Sequence, residues 1–216
     1  MSALPTIPPP PEALADPYPP RFEPAPELGA WLRETIIDGG APLCNPDHRH
    51  LRFLDVGFLW TNVGYRKQGR WVRGEARVAQ PTGSNDWLFA RQELQLRAYF
   101  PDQPDARPIP DFLITLDARY VMQRLADGDP AAVLALLEHE LYHCAQKTRD
   151  GLPVFGDDGR PKPAIRPHDV EEFHRVARRY GAATPALRGL AQALEEGPTV
   201  APAEQHGVCG TCGAAL

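Results

Sequence analysis

Apolar positions along the chain fall into two periods, and the change from one to the other marks out the elements. From Glu27 to Asp38, Leu28, Trp31, Leu32 and Ile36 repeat at three- and four-residue spacing, which predicts a helix stopped by Gly39-Gly40. Phe53 to Val63 is a dense apolar and aromatic run, read as a buried strand. Gly64 to Gly69 supplies turn chemistry, and Trp71 to Val78 alternates well enough to be the hairpin partner of that strand. Trp87 to Phe100 fits both periods, with the longer pattern favouring a helix, while Asp111 to Asp117 reads as a strand and Ala118 to Leu125 as a short helix. Leu134, Leu137, Leu141 and Ala145 form the stripe of a helix over Ala131 to Lys147, with Asp129 as N-cap and Pro130 at its first position. Thr148 to Pro167, rich in proline and glycine, predicts an irregular loop. Asp169 to Tyr180 follows as a helix with Val170, Phe173, Val176 and Ala177 inward; Asp169 is its N-cap and Glu172 can close a capping box. Pro185 to Glu196 is the last helix. Helices and strands mixed in this order, with no repeat, give an α+β fold.

Composition changes this picture mainly at the ends. Ten prolines in residues 1–26 predict an extended or disordered leader that buries no core. The expected organisation is therefore a leader over 1–26, a domain over 27–198 and a tail over 199–216. A net charge of −5 gives no footprint for nucleic acid. No apolar run is long enough to span a bilayer and no signal peptide is evident, so no membrane partner and a cytoplasmic location are expected. The four cysteines, Cys44, Cys144, Cys209 and Cys212, are too few and too unevenly spaced for a disulfide framework, and read as free thiols or metal ligands.

The candidate chemistry lies in the third predicted long helix, where His139-Glu140-Leu141-Tyr142-His143 forms an H-E-x-x-H. One helical turn separates the two histidines, so both imidazoles can grip one Zn2+ ion, with Glu140 beside them as general base. A catalytic zinc takes three protein ligands. His168, at a loop–helix junction, is the first choice for the third, and Glu171 or Glu172 is the alternative, giving a two-His, one-Glu set. Asp169 is near enough in sequence to orient a ligand imidazole, and Tyr142, Arg166 and Tyr180 are candidates for stabilising an oxyanion. Cys209-Gly-Thr-Cys212 has the spacing of half a zinc knuckle; Cys44 and His48 could complete a second, structural zinc, with a redox pair or a spare tail as alternatives.

The ordered string DFLITLDARY, EHELYHC, GLPVF, HDVEEF and RRYG resembles the phage metallopeptidase family, found in phages, prophages and bacterial genomes. The similarity also takes in FLWTNV and WVRGEA upstream and CGTC downstream, spanning about Trp31 to Cys212. The resemblance implies a zincin-like domain with a small mixed sheet and an active-site helix, with His139, His143 and His168 at zinc, Glu140 as base and a bacterial or phage-encoded origin. By analogy with zincins, Phe112 to Asp117 is the strand along which an extended substrate aligns. The leading function is hydrolysis of peptide bonds in a protein or peptide. The alternatives are a non-proteolytic zincin-fold binding or regulatory protein and another zinc amide hydrolase.

Overall fold

The computed structural model describes residues 4–81, 86–105, 107–170 and 174–213. Strand β1 (Phe22–Pro24) leads into helix α1 (Pro26–Leu32), extended by a π turn over Arg33–Ile37. A 3-10 stretch, Pro46–Phe53, precedes β2 (Val56–Thr61), β3 (Arg66–Lys67) and β4 (Arg70–Val78). Then come α2 (Asp86–Tyr99), β5 (Phe112–Asp117), α3 (Ala118–Ala126) and α4 (Pro130–His143). Four short strands follow: β6 (Cys144–Gln146), β7 (Thr148–Arg149), β8 (Leu152–Pro153) and β9 (Pro163–Ile165). Helices α5 (His174–Tyr180) and α6 (Pro185–Glu196) precede the last strand, β10 (Val208–Cys209).

The main sheet runs β1-β2-β5-β4-β10, with β3 attached to β4. It is mixed: β2 and β5 are parallel, β5 and β4 antiparallel, β4 and β10 parallel. The expected hairpin between β2 and Trp71–Val78 is corrected here, because β5 lies between them. Both β2 and β5 are buried along nearly their whole length, and a strand buried on both faces is best satisfied by a neighbour on each edge. The turn residues serve instead a minimal β3–β4 hairpin, where Gln68 (φ 53°) and Gly69 (φ 78°) take the two left-handed positions.

Alternation along the strands then sorts the core into two layers. Phe58, Trp60, Phe112, Ile114 and Leu116 face α1, α3 and α4, meeting Leu28, Leu32, Val121, Leu136, Leu137 and Leu141. Leu59 and Leu113 face the other way, onto Leu96 of α2. Each fully buried leucine in this core contributes about 1.5–3 kcal/mol. In α6, by contrast, no residue is buried, and Val176 of α5, expected to point inward, is 38% exposed.

The proline-rich amino-terminal segment is part of the domain rather than a disordered leader. Ile7 and Leu14 are buried in the main core, and β1 pairs antiparallel with β2. Composition misleads here because a proline-rich chain lacks amide donors, yet its carbonyls can still be met by side chains. Asn62 Nδ2 donates to the Asp16 and Pro19 carbonyls at 2.7 and 3.0 Å, its Oδ1 accepts from Arg21 N at 2.7 Å, and Thr61 Oγ1 donates to the Arg21 carbonyl. The tail is likewise integrated, since β10 adds a parallel strand to β4. Among the described residues no helix is long and apolar enough to cross a membrane.

Candidate metal centre

Helix α4 begins as the sequence implies, with Asp129 Oδ1 accepting from Ala132 N at 3.1 Å and Pro130 in the first turn. It ends earlier than the apolar stripe predicts. Cys144 is extended and opens β6, which pairs with β9 (Cys144↔Ile165, Ala145↔Ala164). Sheet pairing thus replaces the last expected helical turn, and His139, Glu140 and His143 occupy the helix's end. Arg166 fixes this end twice. Its amide donates to the His143 carbonyl at 2.9 Å, and its carbonyl lies 2.7 Å from His143 Nδ1. A carbonyl only accepts, so the His143 proton sits on Nδ1 and the Nε2 lone pair is left to face inward.

The strand that supplies Arg166 also delivers His168. The three imidazoles, His139, His143 and His168, lie with ring centroids 5.0–5.2 Å apart, and the Nε2 atoms of His139 and His168 are 3.4 Å apart. The tail adds two sulfurs. Cys209 Sγ is 3.4 Å from His143 Nε2, and Cys212 Sγ is 3.1 Å from His168 Nε2. The donor atoms of His139, His143, Cys209 and Cys212 all lie within 4.8 Å of one another. A tetrahedral ion bound at about 2.0–2.3 Å by nitrogen and sulfur places its ligand atoms about 3.3–3.8 Å apart. The cluster fits such an ion in both donor type and spacing. Burial, together with the neighbouring His143 and His168, pushes His139 down to about 4, which keeps it in the neutral form that metals bind.

Glu140 sits beneath the donors and is fully buried. Its Oε1 has no hydrogen-bond partner; its Oε2 is 3.4 Å from Thr211 Oγ1 and 3.7 Å from Cys209 Sγ. Burial first, and then the adjacent Cys209 thiol, push its carboxyl well above the usual carboxylate range. The room for it comes from Gly74 of β4, where a Cβ would stand 2.7 Å from Oε1.

The remaining sequence-level candidates separate cleanly. Cys209 and Cys212 join the His139–His143 cluster rather than a second site with Cys44 and His48. His48 is buried on another face of α4, its ring 4.6 Å from Tyr142 and its Nε2 3.8 Å from Glu138, and Cys44 is no part of the cluster. Tyr142 is drawn to the same face, donating to Asp47 and accepting from Asn45. The Arg166 guanidinium is bound to Asp169, which is exposed, and Tyr180 is 68% exposed. Glu171 and Glu172, the alternative third ligands, lie outside the described residues, as does the capping box. The expected substrate strand, Phe112–Asp117, is β5, paired on both edges by β2 and β4, so it has no edge to offer. The strand next to the donors with an outer edge is β4, and β10 covers it. Sequence reasoning missed Gly74 and Thr211; the signal available for the second was the run Gly207-Val208-Cys209-Gly210-Thr211-Cys212-Gly213.

With this geometry in hand, the comparisons can be placed on it. The family model described as "Putative phage metallopeptidase" matches residues 29–195, taking in α4 and His168 and stopping short of Cys209 and Cys212. No curated protein and no solved structure matches the chain.

Proposed function

The chain belongs to this phage metallopeptidase family, and on that premise we propose that it is a zinc-dependent, zincin-like peptidase acting on protein or peptide substrates. The observation that carries the reading is the meeting of three imidazoles, two from the end of α4 and one from the segment after β9, with the buried carboxyl of Glu140 between the two helical ones in sequence. His139, His143 and His168 would hold the zinc. Zinc, when bound, supplies Lewis acidity toward a scissile carbonyl and lowers the pKa of water. Glu140 accepts the water's proton and returns it to the leaving amine. The Arg166 carbonyl holds the His143 ring in the tautomer that presents Nε2.

A second reading, a structural metal centre without proteolysis, is favoured by one observation. Two histidines and two cysteines within 4.8 Å make a complete four-ligand set with no position left for water. Cleavage of an unbiased peptide library by the wild type and by Glu140→Gln separates the two. The peptidase reading expects the variant to keep its metal and to cleave about 10²–10⁴-fold more slowly. Cleavage unaffected by the substitution would remove Glu140 as the base.

A further inference from the structure

The segment from Gly207 to Gly213 is shaped, residue by residue, to lie on β4 over the donors. Val208 and Cys209 are buried as β10. Gly210 N donates to the Gly74 carbonyl at 2.7 Å, and the Gly210 carbonyl accepts from Lys67 Nζ at 2.7 Å. A Cβ at Gly210 would stand 2.6 Å from Tyr65 Oη and 2.7 Å from Glu75 Cβ, so only glycine permits this approach. Thr211 Oγ1 accepts from Ala76 N at 2.7 Å, with the Ala76 carbonyl at 2.9 Å to receive its proton. Gly213 N then bonds the Cys209 carbonyl at 2.8 Å, a turn that returns Cys212 beside Cys209.

We infer that Cys209 and Cys212 are thiolate ligands of the same metal as His139 and His143, and that residues 207–213 are a removable cap on a latent site. Four donors lie within 4.8 Å of one another, as many as a tetrahedral ion takes, and His168 Nε2 stands beside them, 3.4 Å from His139 Nε2 and 3.1 Å from Cys212 Sγ. With the tail seated, two thiolates close the set. With the tail gone, His168, whose Nε2 lies 3.1 Å from Cys212 Sγ, completes a three-histidine set with one position open.

The same segment covers two further things that cleavage requires. Thr211 and Cys209 seal Glu140 from solvent. Strand β10 and Thr211 take the β4 backbone groups to which an extended peptide would add as a strand. The attachment is short, pairing β4 at Val72 and Gly74 with a register shift between them, which suits a strand that must leave. The thiolate assignment stands on geometry alone; the latency rests on the peptidase reading.

The test loads cobalt into the full-length chain and reads its absorption, with acetohydroxamate as a probe of an open position. The wild type is expected to show thiolate-to-cobalt charge transfer and no change on adding acetohydroxamate. The double variant Cys209→Ala/Cys212→Ala should retain cobalt, lose the charge-transfer band, and respond to acetohydroxamate. Its zinc form should cleave peptides about ten-fold or more faster than the wild type, the inverse of the uncapped fraction. Gly210→Val, which keeps both thiols but spoils the seating, should also admit the probe. A wild type without the charge-transfer band overturns the ligand assignment. Loss of all metal from the double variant, or a probe that perturbs every form equally, overturns the removable cap. If no form cleaves peptides while acetohydroxamate binds only the uncapped ones, the cap stands and the peptidase reading falls.

Discussion

Helix α4 meets a polar cluster with a histidine and a carboxyl on each of two faces, and the contrast between them shows how differently such groups can be assembled. On the outer face most polar groups are matched in complementary pairs, although His48 Nε2, 3.8 Å from Glu138, is buried with no hydrogen-bond partner. Asn45 donates to Glu138 at 3.0 Å and to Tyr142 Oη at 3.1 Å, Tyr142 donates to Asp47 at 3.0 Å, and the His48 ring lies edge-on to Tyr142. Burial works against ionising Glu138, but the neighbouring His48 ring and the hydrogen bond from Asn45 outweigh it and hold the carboxyl below its ordinary range. On the inner face, groups that can serve as metal ligands crowd together. Imidazole nitrogens and thiol sulfurs stand 3.1–3.4 Å apart, and Glu140 Oε1 is buried with no partner. Leaving a buried polar atom unpaired costs about 1–3 kcal/mol, and each face carries one, His48 Nε2 outside and Glu140 Oε1 inside; the inner face differs in gathering imidazole and thiol ligand atoms within 4.8 Å of one another.

The largest expected effect comes from breaking the inner face. His143→Ala removes one donor and the ring that Arg166 orients, so metal affinity measured by chelator competition should fall about 10–100-fold or more. An unchanged affinity in that variant would contradict the assigned centre. A smaller effect is expected from Gly74→Ala, which places a methyl group 2.7 Å from Glu140 Oε1. Overpacking of this kind costs about 1–3 kcal/mol, readable as a shifted urea midpoint with chelator present, while all the donors remain. The smallest effects belong to the outer face. Tyr142→Phe removes the hydroxyl contacts with Asn45 and Asp47, each worth about 0.5–1.5 kcal/mol, and should leave metal stoichiometry unchanged. Cys44→Ser should leave it unchanged as well. A drop in bound metal in either variant would erase the distinction between the two faces.

Much of this was legible from local pattern. The helix starts at Pro130 and Pro185, the strand over Phe112–Asp117 and the helix after it were readable because caps and periodicity act within a few residues. The spacing of His139, Glu140 and His143 was readable for the same reason, since a helix converts sequence offset directly into geometry. Apart from the family resemblance, His168 was readable as no more than a chemically suitable residue near a junction, because β9 and Arg166, which carry it to the other two histidines, act through long-range pairing.

What the sequence determined by itself, then, is the spacing of His139, Glu140 and His143 on α4 and the α+β order of elements. What only the tertiary structure decided is who stands next to whom. Strand β5 entered between β2 and β4 because two doubly buried strands need neighbours on both edges. The amino-terminal prolines joined the core because Thr61 and Asn62 met their backbone. The Cys209–Cys212 pair came to the histidines rather than to Cys44 and His48 because β10 docks on β4, the strand against which Glu140 packs. Spacing along the chain constrains neighbours one turn apart, whereas partners some seventy residues apart, such as His143 and Cys209, are chosen by sheet pairing and close packing, which no local pattern encodes.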